Sequence, residues 1–408
     1  LRSFFGAKAR LLAGKYGKTF LQKRRRRREK REYFYDYTLL FVVMFLVFFG
    51  LIMLYSTSSY EATLDFGNGA YYLKKQAMAT VLGLVMMLFI SVIDYHVWRR
   101  FALPAYLISL VLVVLVKTPL GYEANGARRW IKIAGVSLQP AEVVKITLIL
   151  LLASVICIMG KQVRTLKGIA IVMGAALIPA VMILFITKNM SSAIIIAGIA
   201  AVMLFVADPH YKRYILIVLA VVGLAALTVL VIVNAAKGGA SPTGGFRGTR
   251  ILAWLNPEAY SDNTGFQTLQ ALYAIGSGGL WGKGLGQSMQ KLGFLPEAQN
   301  DMVFSIICEE LGLFGAFCVI LLFVMLLWRM MVIANNAPDL FGALLVVGVM
   351  GHFAIQVVLN IAVVTNSIPN TGITLPFISY GGTSILFLMS EVGLVLNVSK
   401  SIRLRDVG

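Results

Sequence analysis

Residues 37–57 read YTLLFVVMFLVFFGLIMLYST, twenty-one positions without one Asp, Glu, Lys, Arg or His. At about 1.5 Å rise per residue, a helix of that length reaches the roughly 30 Å thickness of a bilayer's hydrocarbon core. Comparable runs recur almost to the C-terminus. The 408-residue chain is 59% hydrophobic and only 13% charged, and its mean hydropathy is +0.82. Soluble domains carry about 25% charged residues, so a soluble globular protein, a disordered chain and a disulfide scaffold are all excluded. The alternating ten-residue segments of a membrane β-barrel are missing as well. The fold class is therefore an all-α polytopic membrane protein.

Working outward from 37–57, the hydropathy predicts ten transmembrane helices: 37–57, 76–93, 98–116, 141–159, 167–187, 190–207, 213–234, 302–328, 340–364 and 379–399. The spans at 98–116 and 190–207 are near the short limit, so counts of eight or nine stay open. A large loop, 235–301, separates helices 7 and 8. The organisation read from this is an arm over 1–36, a membrane domain over 37–400 containing that loop, and a tail over 401–408.

Lysine and arginine set the orientation. The first 36 residues hold 13 of them against 3 acids, including the run Lys23–Arg28. Short basic turns at Arg99-Arg100, Lys161/Arg164/Lys167, Lys212-Arg213 and Arg329, and the tail with Lys400, Arg403 and Arg405, belong on the same side. An even number of spans with both termini cytoplasmic satisfies them all and leaves 235–301 extracytoplasmic. The arm reads as a juxtamembrane polybasic segment touching anionic lipids rather than nucleic acid. Cys157, Cys308 and Cys318 sit in apolar runs as small hydrophobes. His96, His210 and His352 stand isolated near predicted membrane edges, with no zinc-type spacing.

Two outward segments interrupt the pattern. Lys117–Pro140 carries Arg128, Arg129, Trp130 and Lys132 against the positive-inside rule. An interfacial half-helix meeting lipid phosphates would explain the cations, and a Trp-anchored interfacial turn is the plainer reading. The loop 235–301 holds large aromatic residues, Trp254, Tyr260, Phe266, Tyr273, Trp281 and Phe294 among them, enough to pack an ordered cap. Its glycines around Gly276–Gly279 and Gly282–Gly286 resemble a phosphate cradle only weakly, because the terminal Lys-Ser/Thr of a P-loop is missing.

Ionisable groups in lipid are costly unless they face a cavity or a partner, so each is a functional candidate. Gln139, Glu142 and Lys145 fall on one broad helix face, which suits a structural Glu–Lys pair as well as a binding surface. Asp301 opens the eighth span at the outer surface. Glu309 and Glu310 lie about 12 Å deeper; they diverge by roughly 100°, so at least one needs a cation such as Lys145 or backbone groups as its partner. Glu391, in the inner half of the last span, reads as structural. Pro369–Ser384, with two prolines and three glycines, cannot form a regular span. Irregular backbone at that depth borders a cavity, where amides and hydroxyls of Ser379, Tyr380, Gly381 and Gly382 could hold anionic groups.

Taken together, Asn125–Ile131, Gln139-Pro140-Ala141-Glu142 with Lys145, Leu295-Pro296-Glu297-Ala298 with Asp301, Glu309-Glu310-Leu311-Gly312 and Thr374–Ser384 resemble the SEDS (shape, elongation, division, sporulation) family of peptidoglycan glycosyltransferases. The likeness runs from Tyr35 to Val398, and Leu272–Gly279 with Gly284–Lys291 look like its FtsW/SpoVE branch. Departures occur at Gln299-Asn300, Ser137 and Lys188–Ser192. The resemblance implies polymerisation of lipid II on the outer face of the bacterial cytoplasmic membrane, at the septum, during division or sporulation. Asp301 would be the general base. Arg128, Arg129, Lys132 and Lys145 would hold the pyrophosphate, and Gln139, Glu142, Glu297 and Ser379–Gly382 would complete the substrate site. A divalent cation (Mg2+ or Mn2+) suits phosphates beside carboxylates, although no metal cage is legible. The implied partners are lipid II, a class B penicillin-binding protein with one span, and other division proteins of the membrane. A lipid flippase would show similar broken helices and buried charges, and a scaffold without chemistry would make Asp301 dispensable.

Overall fold

A computed structural model describes residues 35–124, 127–133, 136–208, 210–237, 246–260 and 265–402. Their elements run α1 Tyr37–Phe66, α2 Tyr71–Val92, α3 Tyr95–Leu115, a three-stranded sheet of β1 Gly121–Ala124, β2 Ala127–Ile133 and β3 Val136–Leu138, then α4 Pro140–Met159, α5 Leu166–Ile186, α6 Met190–Ala207, α7 Tyr211–Lys237, α8 Phe246–Leu255, α9 Phe266–Gly278, α10 Val303–Asn335, α11 Leu340–Val364 and α12 Ser384–Ser401. Nine of the described helices are long and apolar enough to cross a membrane, and α7 adds a further 27-residue helix. This is a polytopic helical bundle, as expected. The polybasic arm and most of the tail fall outside the described residues.

The core lies around α4, α11 and α12, the most enclosed helices. The remaining helices wrap them and present apolar side chains outward, such as Phe41, Phe48, Phe89 and Phe101. At one end of the bundle Asp36 caps α1, accepting from Leu39 N at 2.8 Å, and takes Arg329 Nη2 at 2.7 Å. That bond ties the start of the first helix to the lower part of α10.

Three expectations change. The segment after α3 is a β-meander, not a half-helix: β1 pairs antiparallel with β2, and β2 with β3. Each connection has only two residues, Asn125-Gly126 and Ala134-Gly135, and the alternation of β2, ARRWIKI, gives Arg128, Trp130 and Lys132 one face and Arg129 with the buried Ile131 the other. The last helix starts at Ser384 rather than 379, because residues 369–383 are irregular. Third, His352 is no edge residue: it is buried at the middle of α11, with Nδ1 2.7 Å from Glu391 Oε2 on α12.

The helix expected at 302–328 runs further, to Asn335, and is broken at Gly312 (φ 68°, ψ −170°). A break in lipid strands backbone groups that no water can satisfy. The loop before α10 supplies the missing partners: Lys283 N and Gly284 N donate to the carbonyls of Glu309 and Glu310, each at 2.9 Å. In return Leu313 N donates to Gly279 O at 2.9 Å and Phe314 N to Leu280 O at 3.1 Å. The backbones approach so closely that a Cβ on Gly312 would lie 2.4 Å from Gly282 N, and one on Gly282 2.2 Å from Glu310 O. The glycine-rich block therefore repairs a broken helix and is no phosphate cradle.

Candidate functional site

Asp301 sits two residues before α10 and only 9% of it is exposed. Asn360 of α11 fixes its backbone, donating to Asp301 O at 2.8 Å and to Ile373 O at 2.6 Å. Its carboxylate accepts weakly from Gln267 Nε2 at 3.4 Å. Gln267 accepts in turn from Asn370 Nδ2 at 2.8 Å. Burial first, and then the negative charge of Glu297, push the Asp301 carboxyl up to about 7; Arg250 opposes that rise. Glu297, whose charge bears on Asp301, holds left-handed backbone (φ 56°). Such strain costs about 1–3 kcal/mol and gathers at functional sites.

Two guanidinium groups approach from separate elements. Arg250 comes from α8 and donates to Asn370 O at 3.2 Å. Arg129 comes from β2 and donates to Lys188 O at 3.4 Å. Desolvation lowers the affinity of both for their protons, and the charge of Arg250 adds to the effect on Arg129. Arg129 Nε is buried with no hydrogen-bond partner among the described residues, and so is Thr371 Oγ1 beside Gly372. An anion bearing several oxygens would satisfy such donors.

The other expected cations go elsewhere. Arg128 is exposed and 3.4 Å from Glu123, and Lys132 is exposed over the Tyr122 ring at 5.6 Å. Lys145 is 2% exposed and lies 2.8 Å from Glu142. Glu142 also accepts from Ser384 Oγ at 3.2 Å, so this pair fastens α4 to the start of α12. Of the partners expected for Lys145, Glu142 is the one it takes, and Glu309 and Glu310 are not. Glu309 takes Lys283 Nζ at 2.7 Å and Ser288 Oγ at 2.5 Å; Glu310 takes Lys291 Nζ at 2.7 Å and Ser56 Oγ at 2.7 Å. The two glutamates diverge as helix geometry requires, and both anchor the loop 283–291.

The irregular segment is also more committed than expected. Ser379 Oγ accepts from Leu375 N at 2.8 Å, closing a local turn. Gly381 N and Gly382 N point at Gln76 Oε1 at 3.4 and 3.2 Å, so a side chain already occupies these amides. Tyr380 N donates to Gln299 O at 2.8 Å, two residues from Asp301. Gln139 precedes α4 without a side-chain cap. Among the described residues no group of three or more His, Cys, Asp or Glu gathers to hold a metal. The charge of Glu297 bears on the Asp301 carboxyl, and these are the acids that could contact an ion arriving with a phosphate.

Sequence reasoning missed Arg250, Gln267, Asn360 and Asn370. The legible signal was Arg250 within FRGTRILAWL, a short amphipathic stretch inside the long loop. An apolar cavity of about 590 Å³ opens below, lined by Ile275, Trp281, Phe304, Cys308, Phe317 and Ile361.

A multi-pass helical bundle with an acid, two arginines and strained backbone gathered at one end is the class of protein defined so far. Residues 37–404 match the family described as "Cell cycle protein", that of FtsW, RodA and SpoVE, and the chain belongs to it. It is 38% identical over 366 residues to stage V sporulation protein E of Bacillus subtilis, covering 90% of this chain and 97% of that one. It is 40% identical over 373 residues to a probable peptidoglycan glycosyltransferase FtsW of Trichlorobacter lovleyi, covering 91% and 94%. Among solved structures, a chain of a peptidoglycan synthase complex that coordinates polymerization and crosslinking matches with TM-score 0.72 and 28% identity, over 90% of this chain and 98% of that one. The rod shape determining protein RodA of Thermus thermophilus matches with TM-score 0.65 and 27% identity, over 90% and 97%.

Proposed function

We propose that this protein is a peptidoglycan glycosyltransferase that polymerises lipid II, with Asp301 as general base. The observation that carries the reading is a buried carboxyl poised near neutral pH that feels the desolvated Arg250, with the desolvated Arg129 next to that arginine. A base works best when its pKa lies near the working pH. The acceptor's 4-hydroxyl gives its proton to Asp301 as the oxygen bonds to the donor's anomeric carbon from the face opposite the pyrophosphate. The old C–O bond breaks with its electron pair moving to the pyrophosphate, so the anomeric configuration inverts. Arg129 and Arg250 are placed to meet the growing charge. A divalent ion, Mg2+ or Mn2+, would neutralise the pyrophosphate when bound, and the Asp301 and Glu297 carboxylates would help to hold it. Lys145, enclosed with Glu142, is assigned to architecture.

The reading puts the Asp301 end outside the cytoplasmic membrane at the division septum, with both termini inside and the polybasic arm against anionic lipid. The outward-facing Trp281, Leu313, Phe314 and Phe317 offer an apolar wall beside the cavity. A single-span class B penicillin-binding protein needs such a wall, and other division proteins would join that assembly. The similarity to a chain of a synthase complex supports this partnership.

Polymerisation of labelled lipid II by the purified protein, alone and with the transpeptidase, tests the reading. Glycan strands should form and vanish in Asp301→Asn. The buried His352–Glu391 pair is a feature that favours a flippase instead, since proton-driven carriers use such groups. Lipid II translocation in liposomes without polymer would establish that alternative.

A further inference from the structure

Asn370 stands where the acid and the cations of the site meet, and no step of the reaction above uses it. It lies in the irregular segment between α11 and α12. Its backbone carbonyl accepts from Arg250 Nη1 at 3.2 Å. Trp254, one turn further along α8, donates through Nε1 to Asn366 O at 2.9 Å, and Asn366 Nδ2 returns a bond to Trp254 O at 3.3 Å. The helix that carries Arg250 is therefore seated on residues 366–370. The next carbonyl, Thr371 O, accepts from Ser191 Oγ at the start of α6, and the turn before α6 gives Arg129 its acceptor, Lys188 O.

The side chain of Asn370 works toward the acid. Gly372 N donates to Asn370 Oδ1 at 3.0 Å, Asn370 Nδ2 donates to Gln267 Oε1 at 2.8 Å, and Gln267 Nε2 donates to Asp301 Oδ1 at 3.4 Å. The amide orientations in this chain are forced. Gln267 Nε2 also donates to Pro296 O at 3.1 Å, and a carbonyl only accepts, so the nitrogen lies on that side and the oxygen faces Asn370. Asn370 must then offer its nitrogen to Gln267 and its oxygen to Gly372 N. The three bonds run head to tail with their donors aimed at Asp301, and each polarises the next. The last is long, as hydrogen bonds at active sites often are before substrate tightens them. A donor on a carboxylate favours the charged form, and Gln267 lowers the proton affinity of Asp301 against burial and Glu297.

We propose that Asn370 is a positioning residue that sets both halves of the site: its carbonyl holds Arg250 for the leaving group, and its side chain, through Gln267, aims the Asp301 carboxylate at the acceptor hydroxyl. The inference rests on the polymerase reading for what Asp301 and Arg250 act on. The carbonyl of residue 370 survives substitution, so the side chain can be tested by itself.

The test is steady-state polymerisation of labelled lipid II by the purified full chain, with kcat, KM and the pH profile measured for each variant. Gln267→Leu and Asn370→Leu should each lower kcat about tenfold, the scale of one hydrogen bond, with KM changed less than about threefold. The acid limb should move to higher pH in both, while Glu297 and Arg250, the charges that bear on Asp301, are untouched. Gln267→Leu with Asn370→Leu should be no slower than Gln267→Leu, because Asn370 acts through Gln267; additive losses would overturn the proposal. Asn370→Ser keeps the turn by capping Gly372 N with its hydroxyl but has no amide for Gln267, so it should fail as Asn370→Leu does. Full activity in Asn370→Ser would mean that the side chain only shapes the loop, and would also overturn the proposal. Failure of the polymerase reading would look different. The intact chain would make no polymer, yet the Asp301 titration near 7, followed by infrared difference spectra against Asp301→Asn, would still move upward in Gln267→Leu and Asn370→Leu. A titration unmoved in both variants would refute the positioning role whatever the activity.

Discussion

Lys145 Nζ lies 2.8 Å from Glu142 Oε1, and both side chains are enclosed between α4 and the start of α12. Removing one partner of a buried pair leaves an orphan charge and typically costs about 3–5 kcal/mol. Lys145→Ala should therefore lower thermal stability by that amount. Lys145→Met with Glu142→Gln should recover most of the loss. A double-mutant cycle should show coupling to Glu142 and none to Glu309 or Glu310, as followed by detergent unfolding curves.

Asp301→Asn should abolish polymerisation and leave elution and partner binding unchanged. In the intact protein the activity should rise with pH through about 7, as the carboxyl loses its proton. Stability should move the opposite way. The folded pKa lies above the unfolded one, so the folded state holds the extra proton between them, and this contribution is lost as pH climbs through about 7. A pH–rate profile flat from 5 to 9 would remove Asp301 from the base role.

Arg250→Gln and Arg129→Gln should each slow lipid II turnover about ten- to a hundredfold, the scale of one charge-assisted hydrogen bond. Expression should stay normal. Arg250 also holds the Asp301 carboxyl down, so its removal should shift the acid limb of the pH profile to higher pH. Arg129→Gln tests the anion corner alone.

Gly312→Ala should cost about 1–3 kcal/mol from left-handed backbone alone, and more because its Cβ would meet Gly282 N. Thermal unfolding should show this loss, together with faster protease cleavage in the loop 279–295. Unchanged protection there would mean that the loop is held by the Lys283 and Lys291 ion pairs without the backbone bonds.

Hydropathy made the helical crossings legible because each lies locally in the chain, and α1 announces itself in twenty-one residues. Asp301 was legible as the acid between a long loop and a helix start. The meander was not: its charges suggested an interface helix, although the Asn125-Gly126 and Ala134-Gly135 connections were the signal of tight hairpins. The partners of Glu309 and Glu310 could not be read either. Lys283 and Lys291 stand 26 and 19 positions away, and only the folded loop brings them close. Arg250 was hidden for the same reason, since α8 reaches Asp301 through tertiary contacts.

The repaired break in α10 also fixes an order of assembly. Residues 279–284 leave the ribosome before 309–314, so the segment that satisfies the break is made first. If it were delayed, the carbonyls of Glu309 and Glu310 and the amides of Leu313 and Phe314 would enter the lipid bare, at a cost of several kcal/mol for each group. Residues 279–284 and 309–314 are thus one structural unit, and neither keeps its backbone groups satisfied without the other.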